Sequence, residues 1–155
     1  MAGQLNVGDL FPEYKVRGCA NAYSSSGVVI FYRGGWCPYC NRQLADFESF
    51  MEEFKKEDVD VVALSVDAFA KAKETVDKLK LSFPVAYGLE APRDAEKIDA
   101  FWDAQRKIIQ PANFVLDSEK TVVDASYSIG PIGRITAADA LSHIQFFKRR
   151  KAQQS

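Results

Sequence analysis

The chain alternates between apolar runs of two periods. Val28-Val29-Ile30-Phe31-Tyr32 is short, continuous and rich in β-branched and aromatic residues, as a strand buried on both faces requires. Leu44, Phe47, Phe50, Met51 and Phe54 then recur at 3, 3, 1 and 3, which predicts one face of a helix opened by Pro38 and closed near Lys56. Val59 to Asp67 reads as a second buried strand. The stretch after it, "AFAKAKETVDKLKL", reads as a helix with Phe69, Ala72, Val76 and Leu79 on one side. A short strand from Phe83 to Tyr87 has Pro84 near its start, which suits an edge position or a strand beginning. "DAEKIDAFWDAQRKI" predicts a further helix, with Ile98, Phe101, Trp102 and Gln105 together. "ANFVLD" and "TVVDASY" predict two strands joined by the polar turn Ser118-Glu119-Lys120. A last helix starts near Thr136 and carries Ala140, Leu141, Ile144 and Phe147.

Early alternation of strand and helix predicts a parallel core, and the closing strand pair predicts an antiparallel hairpin. The expected architecture is a three-layer α/β/α sandwich around a mixed sheet. With 155 residues and no repeat, linker or low-complexity segment, residues 1–155 are expected to form one domain.

Charge narrows the function. Twenty basic residues against twenty-one acidic ones leave a net charge of −1, which argues against a large nucleic-acid or anionic-membrane footprint. Lys148-Arg149-Arg150-Lys151 suits the solvated end of the last helix, where cations complement the macrodipole. No apolar run approaches the roughly 18 residues of a membrane span. "MAGQLNVGDLFPEYK" has no basic segment followed by an apolar one, so a cytoplasmic setting is expected. Three cysteines, an odd number, do not make a disulfide framework; in that setting a close pair is metal-binding or catalytic.

The pair is Cys37 and Cys40, in "GGWCPYCNRQL". Zinc would need two further ligands, and only Cys19 and His143, isolated from one another, could supply them. His143 reads better as structural or solvated, and Cys19 as a small buried hydrophobe. A structural disulfide would close too short a loop to constrain the unfolded chain. Catalysis fits the local pattern. If Pro38 begins the helix, Cys37 is its N-cap, where unpaired N–H groups and the dipole favour a thiolate. Cys40 returns to the same face about 5–6 Å away, within disulfide range. Cys37 is then expected to be exposed and attacking, with Cys40 tucked behind as resolving thiol. Lowering a thiol from ~8.5 to ~6 takes about 3.4 kcal/mol of preference for the thiolate, and a helix dipole supplies only ~0.3–2 kcal/mol. Direct N–H bonds to sulfur, or a cation such as Arg33 or Arg42, must supply the remainder.

"VVIFYRGGWCPYCNRQL" resembles the active-site segment of the thioredoxin-fold superfamily, in which a strand delivers two cysteines to a helix N-terminus. It is more closely similar to the peroxiredoxin-like branch of the alkyl hydroperoxide reductase/thiol-specific antioxidant (AhpC/TSA) family. "VDVVALSVD", "FPVAYG" and "QPANFVLDSEKTVV" resemble that family's later strands in the right order, so the likeness covers about Val28 to Tyr127. It implies a thioredoxin-like fold. It also implies that Pro111 is a cis-proline beside the cysteines, leaving an extended backbone edge for substrate. Where peroxiredoxins carry a proline seven residues before, and a threonine or serine three residues before, the peroxidatic cysteine, this chain has Ile30 and Gly34. Their arginine ahead of the "FVLD"-like strand corresponds to Pro111 here. The groups that would polarise a peroxide are thus absent from their usual places, and Arg33 is the available substitute.

The expectation is a thiol-disulfide oxidoreductase cycling through mixed disulfides at Cys37 and Cys40, with no bound cofactor and no metal. Trp36, Pro111 and Arg33 are expected to position substrate. Its partners would be a protein or low-molecular-weight thiol, of the thioredoxin or glutathione system. One alternative is a thiol-dependent peroxidase acting on hydroperoxides, with Cys37 peroxidatic and Cys40 resolving. Another is a non-enzymatic redox sensor or binding module.

Overall fold

The computed structural model describes residues 3–14 and 27–154; Cys19 lies outside the described residues. Its elements are β1 (Gly27–Phe31), α1 (Pro38–Ser49), α2 (Met51–Lys56), β2 (Asp60–Leu64), α3 (Phe69–Leu79) and β3 (Val85–Ala86). They are followed by α4 (Arg93–Glu96), β4 (Trp102–Asp103), β5 (Ile108–Ile109), β6 (Ala112–Leu116), β7 (Val122–Tyr127) and α5 (Ala137–Gln154).

The central sheet has the order β3-β2-β1-β6-β7. β1 pairs in parallel with β2 and antiparallel with β6, so β1 is the seam between a parallel and an antiparallel half. That position explains its composition. Val28, Ile30 and Tyr32 point into one core with Leu44, Phe47 and Phe54, while Val29 and Phe31 point into the other with Phe11, Ile98 and Phe114. A strand covered on both faces has no polar alternation to show. Each fully buried Val, Ile or Phe contributes roughly 1.5–3 kcal/mol of transfer free energy, which makes this strand a firm support for whatever follows it. The first core is closed by α1, α2, α3 and α5, the second by α4 and the Phe11–Tyr14 segment. The fold is a thioredoxin-like three-layer α/β/α sandwich with a mixed sheet.

Three expectations need correction. The helix predicted from "DAEKIDAFWDAQRKI" is a single turn, α4, followed by the β4–β5 hairpin with Trp102 opposite Ile109. Asp99 takes a left-handed conformation (φ 53°), and Asp103 Oδ1 accepts from the N–H groups of Gln105 and Arg106 at 2.9 and 3.0 Å. These local side-chain bonds give the backbone a turn in place of a helix. Ile98 is accordingly buried, while Phe101 and Trp102 face solvent. The helix expected from Pro38 to Lys56 breaks at Phe50 (φ −107°, ψ 7°) into α1 and α2. Third, the one cis peptide bond among the described residues is Ala91–Pro92, so the Gln110–Pro111 bond is trans. Gln110 N–H donates to Phe101 O at 2.9 Å, and Pro111 O accepts from Ser128 N–H at 3.0 Å. With extended pairing on both sides, the chain follows the ordinary trans preference of X–Pro bonds.

Candidate active site

β1 delivers the chain to the N-terminus of α1 through a tight passage. Gly34 and Gly35 suit it because neighbouring side chains crowd both positions. A Cβ on Gly34 would collide with Trp36 Nε1, and one on Gly35 with Thr75 Oγ1. The passage is pinned by Gly35 N–H donating to Asp67 Oδ2 at 2.8 Å and by Asn41 Nδ2 donating to Gly35 O at 2.9 Å. Burial pushes the Asp67 carboxyl up, against the pull of the Gly35 N–H and Lys71. Beyond it, Cys37 is the N-cap of α1 with Pro38 in the first turn, and Cys40 N–H donates to Cys37 Sγ at 3.4 Å. Both cysteines are free thiols.

Cys37 is not exposed as expected: both cysteines have 0% accessibility. Two guanidiniums stand over Cys37 Sγ, Arg33 Nη1 and Arg134 Nη2 each at 4.0 Å, and they close the sulfur from solvent. Arg33 N–H donates to Cys40 Sγ at 3.3 Å, and Arg134 Nη2 donates to the same sulfur at 3.0 Å.

The two thiols are split in opposite directions. For Cys37, burial pushes the thiol up, but hydrogen bonds from the Cys40 thiol and N–H, with Arg33 and the Arg134 charge, outweigh it, and the net displacement is downward. For Cys40, burial pushes the thiol up most, the bond it donates to Cys37 adds to this, and Arg134 and the Arg33 N–H reverse only part. The arrangement therefore favours keeping the proton on Cys40 and developing charge on Cys37. The Tyr32 hydroxyl is pushed up to about 12 by burial, with the charges of Asp67 and Cys40 adding, and stays neutral.

Arg134 was not visible in the sequence as a site residue. It comes from the loop before α5, and a buried polar chain aims it. Arg134 Nη1 donates to Gln43 Oε1 at 2.6 Å and Nε to Pro131 O at 2.7 Å. Gln43 Nε2 donates to Asn113 Oδ1 at 2.9 Å and to Ile135 O at 3.1 Å, and Ile135 N–H donates to Asn113 Oδ1 at 3.0 Å. Asn113 on β6 and Gln43 on α1 are both buried. The available signal was a polar residue inside each apolar pattern: Asn113 in "ANFVLD", Gln43 beside Leu44.

Trp36 is about half exposed (49%), with the Arg33 guanidinium 4.9 Å and the Arg106 guanidinium 4.3 Å from its ring centre. Arg42 lies 5.5 Å from the Tyr39 ring and does not bond either sulfur among the described contacts. Pro111 lies next to Ala112, which pairs with Phe31, so it sits beside the end of β1. His143 is elsewhere: its Nδ1 lies 2.9 Å from Asp124 Oδ2, and its ring meets Phe147 edge-on. Among the described residues no group of three His, Cys, Asp or Glu side chains could hold a metal ion.

A family model described as the AhpC/TSA family matches residues 7–125. Among curated proteins, the thiol-disulfide oxidoreductase ResA of Geobacillus kaustophilus (strain HTA426) is 25% identical over 126 residues, 81% of this chain and 66% of that protein. This chain thus matches just under two thirds of that relative's length. Among solved structures, peroxidoxin BcpB from Mycobacterium tuberculosis superposes with a TM-score of 0.79 at 17% identity, over 92% of this chain and 98% of that one. A peroxiredoxin-like protein from Aquifex aeolicus does so with a TM-score of 0.75 at 23% identity, over 92% and 88%. At such identities the likeness of structure is one of fold.

Proposed function

The chain belongs to the AhpC/TSA family, and from that premise we propose that it is a thiol-disulfide oxidoreductase working through Cys37 and Cys40. The observation that carries this reading is the geometry of two free thiols within one helical turn, Cys37 at the N-cap accepting from Cys40 N–H and Cys40 behind it against Arg134, which favours Cys37 toward thiolate and Cys40 away from it. An attacking thiol and a resolving thiol need just that division.

The Cys37 thiolate attacks one sulfur of a substrate R–S–S–R, forming Cys37–S–S–R and releasing RS⁻. Cys40 then loses its proton and attacks Cys37 Sγ, which forms the Cys37–Cys40 disulfide and releases the second RS⁻. The Cys40 proton leaves with one thiolate as RSH. Two electrons pass from protein to substrate, and an external dithiol returns them by the reverse exchange. Arg134 serves both steps: it favours the Cys37 thiolate at the start, and its 3.0 Å contact stabilises the Cys40 thiolate when that must form. The reading includes a cytoplasmic setting, where thiol pools can maintain the reduced pair. Its partners are a protein or low-molecular-weight thiol or disulfide.

One observation favours a second reading, a thiol peroxidase. Arg33 and Arg134 place two guanidiniums at Cys37 Sγ, a charge that a peroxide oxygen would also meet. Against it, position 34 has no hydroxyl, and Trp36 occupies the space a side chain there would need. Insulin-disulfide reduction measured beside peroxide-dependent oxidation of a thiol donor separates the two. The proposal expects turnover in the first, and turnover confined to the second would replace it with the peroxidase.

A further inference from the structure

Four guanidiniums surround one thiol pair. Arg33 and Arg134 face the sulfurs, Arg106 lies over Trp36, and Arg42 lies over Tyr39. Such a concentration is not a general feature of a chain whose net charge is −1. Among the described residues no carboxylate pairs with any of the four. The nearby carboxylates are committed to backbone N–H groups instead: Asp67 to Gly35, Asp103 to Gln105 and Arg106, Asp46 to Ala137. Arg33 Nε is also buried without a partner. A thiolate formed at Cys37 would bring one negative charge, and Arg33 and Arg134 already face that sulfur. Arg42 and Arg106 form no ion pair with a carboxylate among the described residues, and each is exposed and rests on a half-exposed aromatic ring.

Beside the pair, Tyr39, Arg42, Gln43, Asp46, Ile132 and Arg134 line an open groove of about 460 Å³, where two guanidiniums face the single carboxylate of Asp46, which accepts from Ala137 N–H. That volume falls in the range of small-molecule sites, ~300–1,000 Å³. Tyr39 and Ile132 are exposed and offer apolar contact, while a planar guanidinium fork matches a carboxylate. The depth of Cys37 favours a slender entrant, because a sulfur with no accessible surface is reached more readily by a flexible small molecule than by a folded surface.

We propose that the rim of this site recognises a low-molecular-weight disulfide carrying carboxylates near its sulfur, with Arg42 and Arg106 as the carboxylate-binding residues. The inference rests on the thiol-disulfide reading and adds a substrate class to it. The exchange is the one written above, with R bearing the carboxylates. Both released thiols keep them.

The test uses the reduced full chain in single-turnover oxidation by three small disulfides: oxidised glutathione (anionic), bis(2-hydroxyethyl) disulfide (neutral) and cystamine (cationic). Each rate is normalised to that of the same disulfide with a free small thiolate. The anionic probe should exceed the neutral one by about tenfold or more, and the cationic one should be slowest. Added salt should shrink the gap, and R42Q/R106Q should cut the anionic-to-neutral ratio about fivefold or more, whereas K151Q, remote from the site, should keep it. Equal normalised rates, or a ratio undiminished in R42Q/R106Q, would overturn the inference while leaving the thiol-disulfide reading intact. Reaction with insulin disulfides alone would overturn it in favour of a protein substrate. No reaction with any disulfide would remove the underlying reading, and the inference with it.

Discussion

The two halves of the site are held by different forces. Around Cys40, Arg134 is aimed by Gln43, which is held by Asn113, which also holds Ile135; the amides in this chain are buried. Around the mouth, Arg33 and Arg106 lean on Trp36 and Arg42 on Tyr39, with rings 41–49% exposed. A buried polar chain is costly to break because each freed donor or acceptor loses water as well as its partner. A guanidinium resting on an exposed ring gains only ~0.5–1 kcal/mol and can leave it cheaply. The inner half can therefore set thiol chemistry to a fixed geometry, while the outer half can rearrange around a substrate.

Removing the sulfurs themselves should have the largest effect. Cys37→Ser should lower turnover by roughly 10³-fold or more, as loss of a nucleophile does. Cys40→Ser should instead accumulate mixed disulfides on Cys37, visible by non-reducing electrophoresis and intact mass. Equal trapping by both variants would contradict the assigned roles.

Next is the inner chain. In Arg134→Gln the Cys37 thiol should titrate at higher pH, so the pH profile of its alkylation shifts toward the alkaline side. Each unit of that shift corresponds to about tenfold less thiolate at a pH below both inflections. An unmoved profile would take Arg134 out of the electrostatic account.

Asn113→Leu keeps the heavy-atom branching but strands the Ile135 N–H and removes one of the two bonds of Gln43 Nε2. A loss of about 1–3 kcal/mol is expected from denaturant melts, with an alkaline shift of the Cys37 profile because Arg134 loses its aim. A stability loss with an unmoved profile would separate packing from positioning.

The thiols should also leave opposite marks on stability against pH. The folded Cys37 value lies below the unfolded one, so its contribution is present above the unfolded value near ~8.5 and is lost as pH falls through the folded one. Cys40 lies above its unfolded value, so its contribution is present below ~8.5 and is lost as pH rises through the folded one. Cys40→Ser should therefore flatten the alkaline limb of the stability profile measured by urea unfolding. A limb as steep as the parent's would count against a protonated Cys40.

Trp36→Ala, on the outer half, should have the smallest effect. A half-exposed ring carries little fold stability, and melts should shift by less than about 1 kcal/mol. A substrate contact at its exposed face should show in KM more than in kcat. A loss as large as that of Asn113→Leu would erase the contrast between the halves.

Local chemistry in the sequence determined the strand-to-helix delivery of Cys37 and Cys40, because doubly buried strands, a proline-led first turn and an N-cap are properties of adjacent residues. Val28 to Tyr32 and Pro38 carry that information without help from the rest of the chain. Where local signals were ambiguous, tertiary contacts decided. Ile98 and Trp102 share a helical spacing, yet the Asp103 turn and the pairing of Trp102 with Ile109 send them to opposite environments. Pro111 matches a familiar position, yet backbone pairing on both sides accompanies a trans bond. Arg134 is the clearest case. It reaches a cysteine 94 residues away in sequence, through partners on α1 and β6 that no spacing rule connects. A cation acts on a thiol through distance in space, and only the folded chain sets that distance.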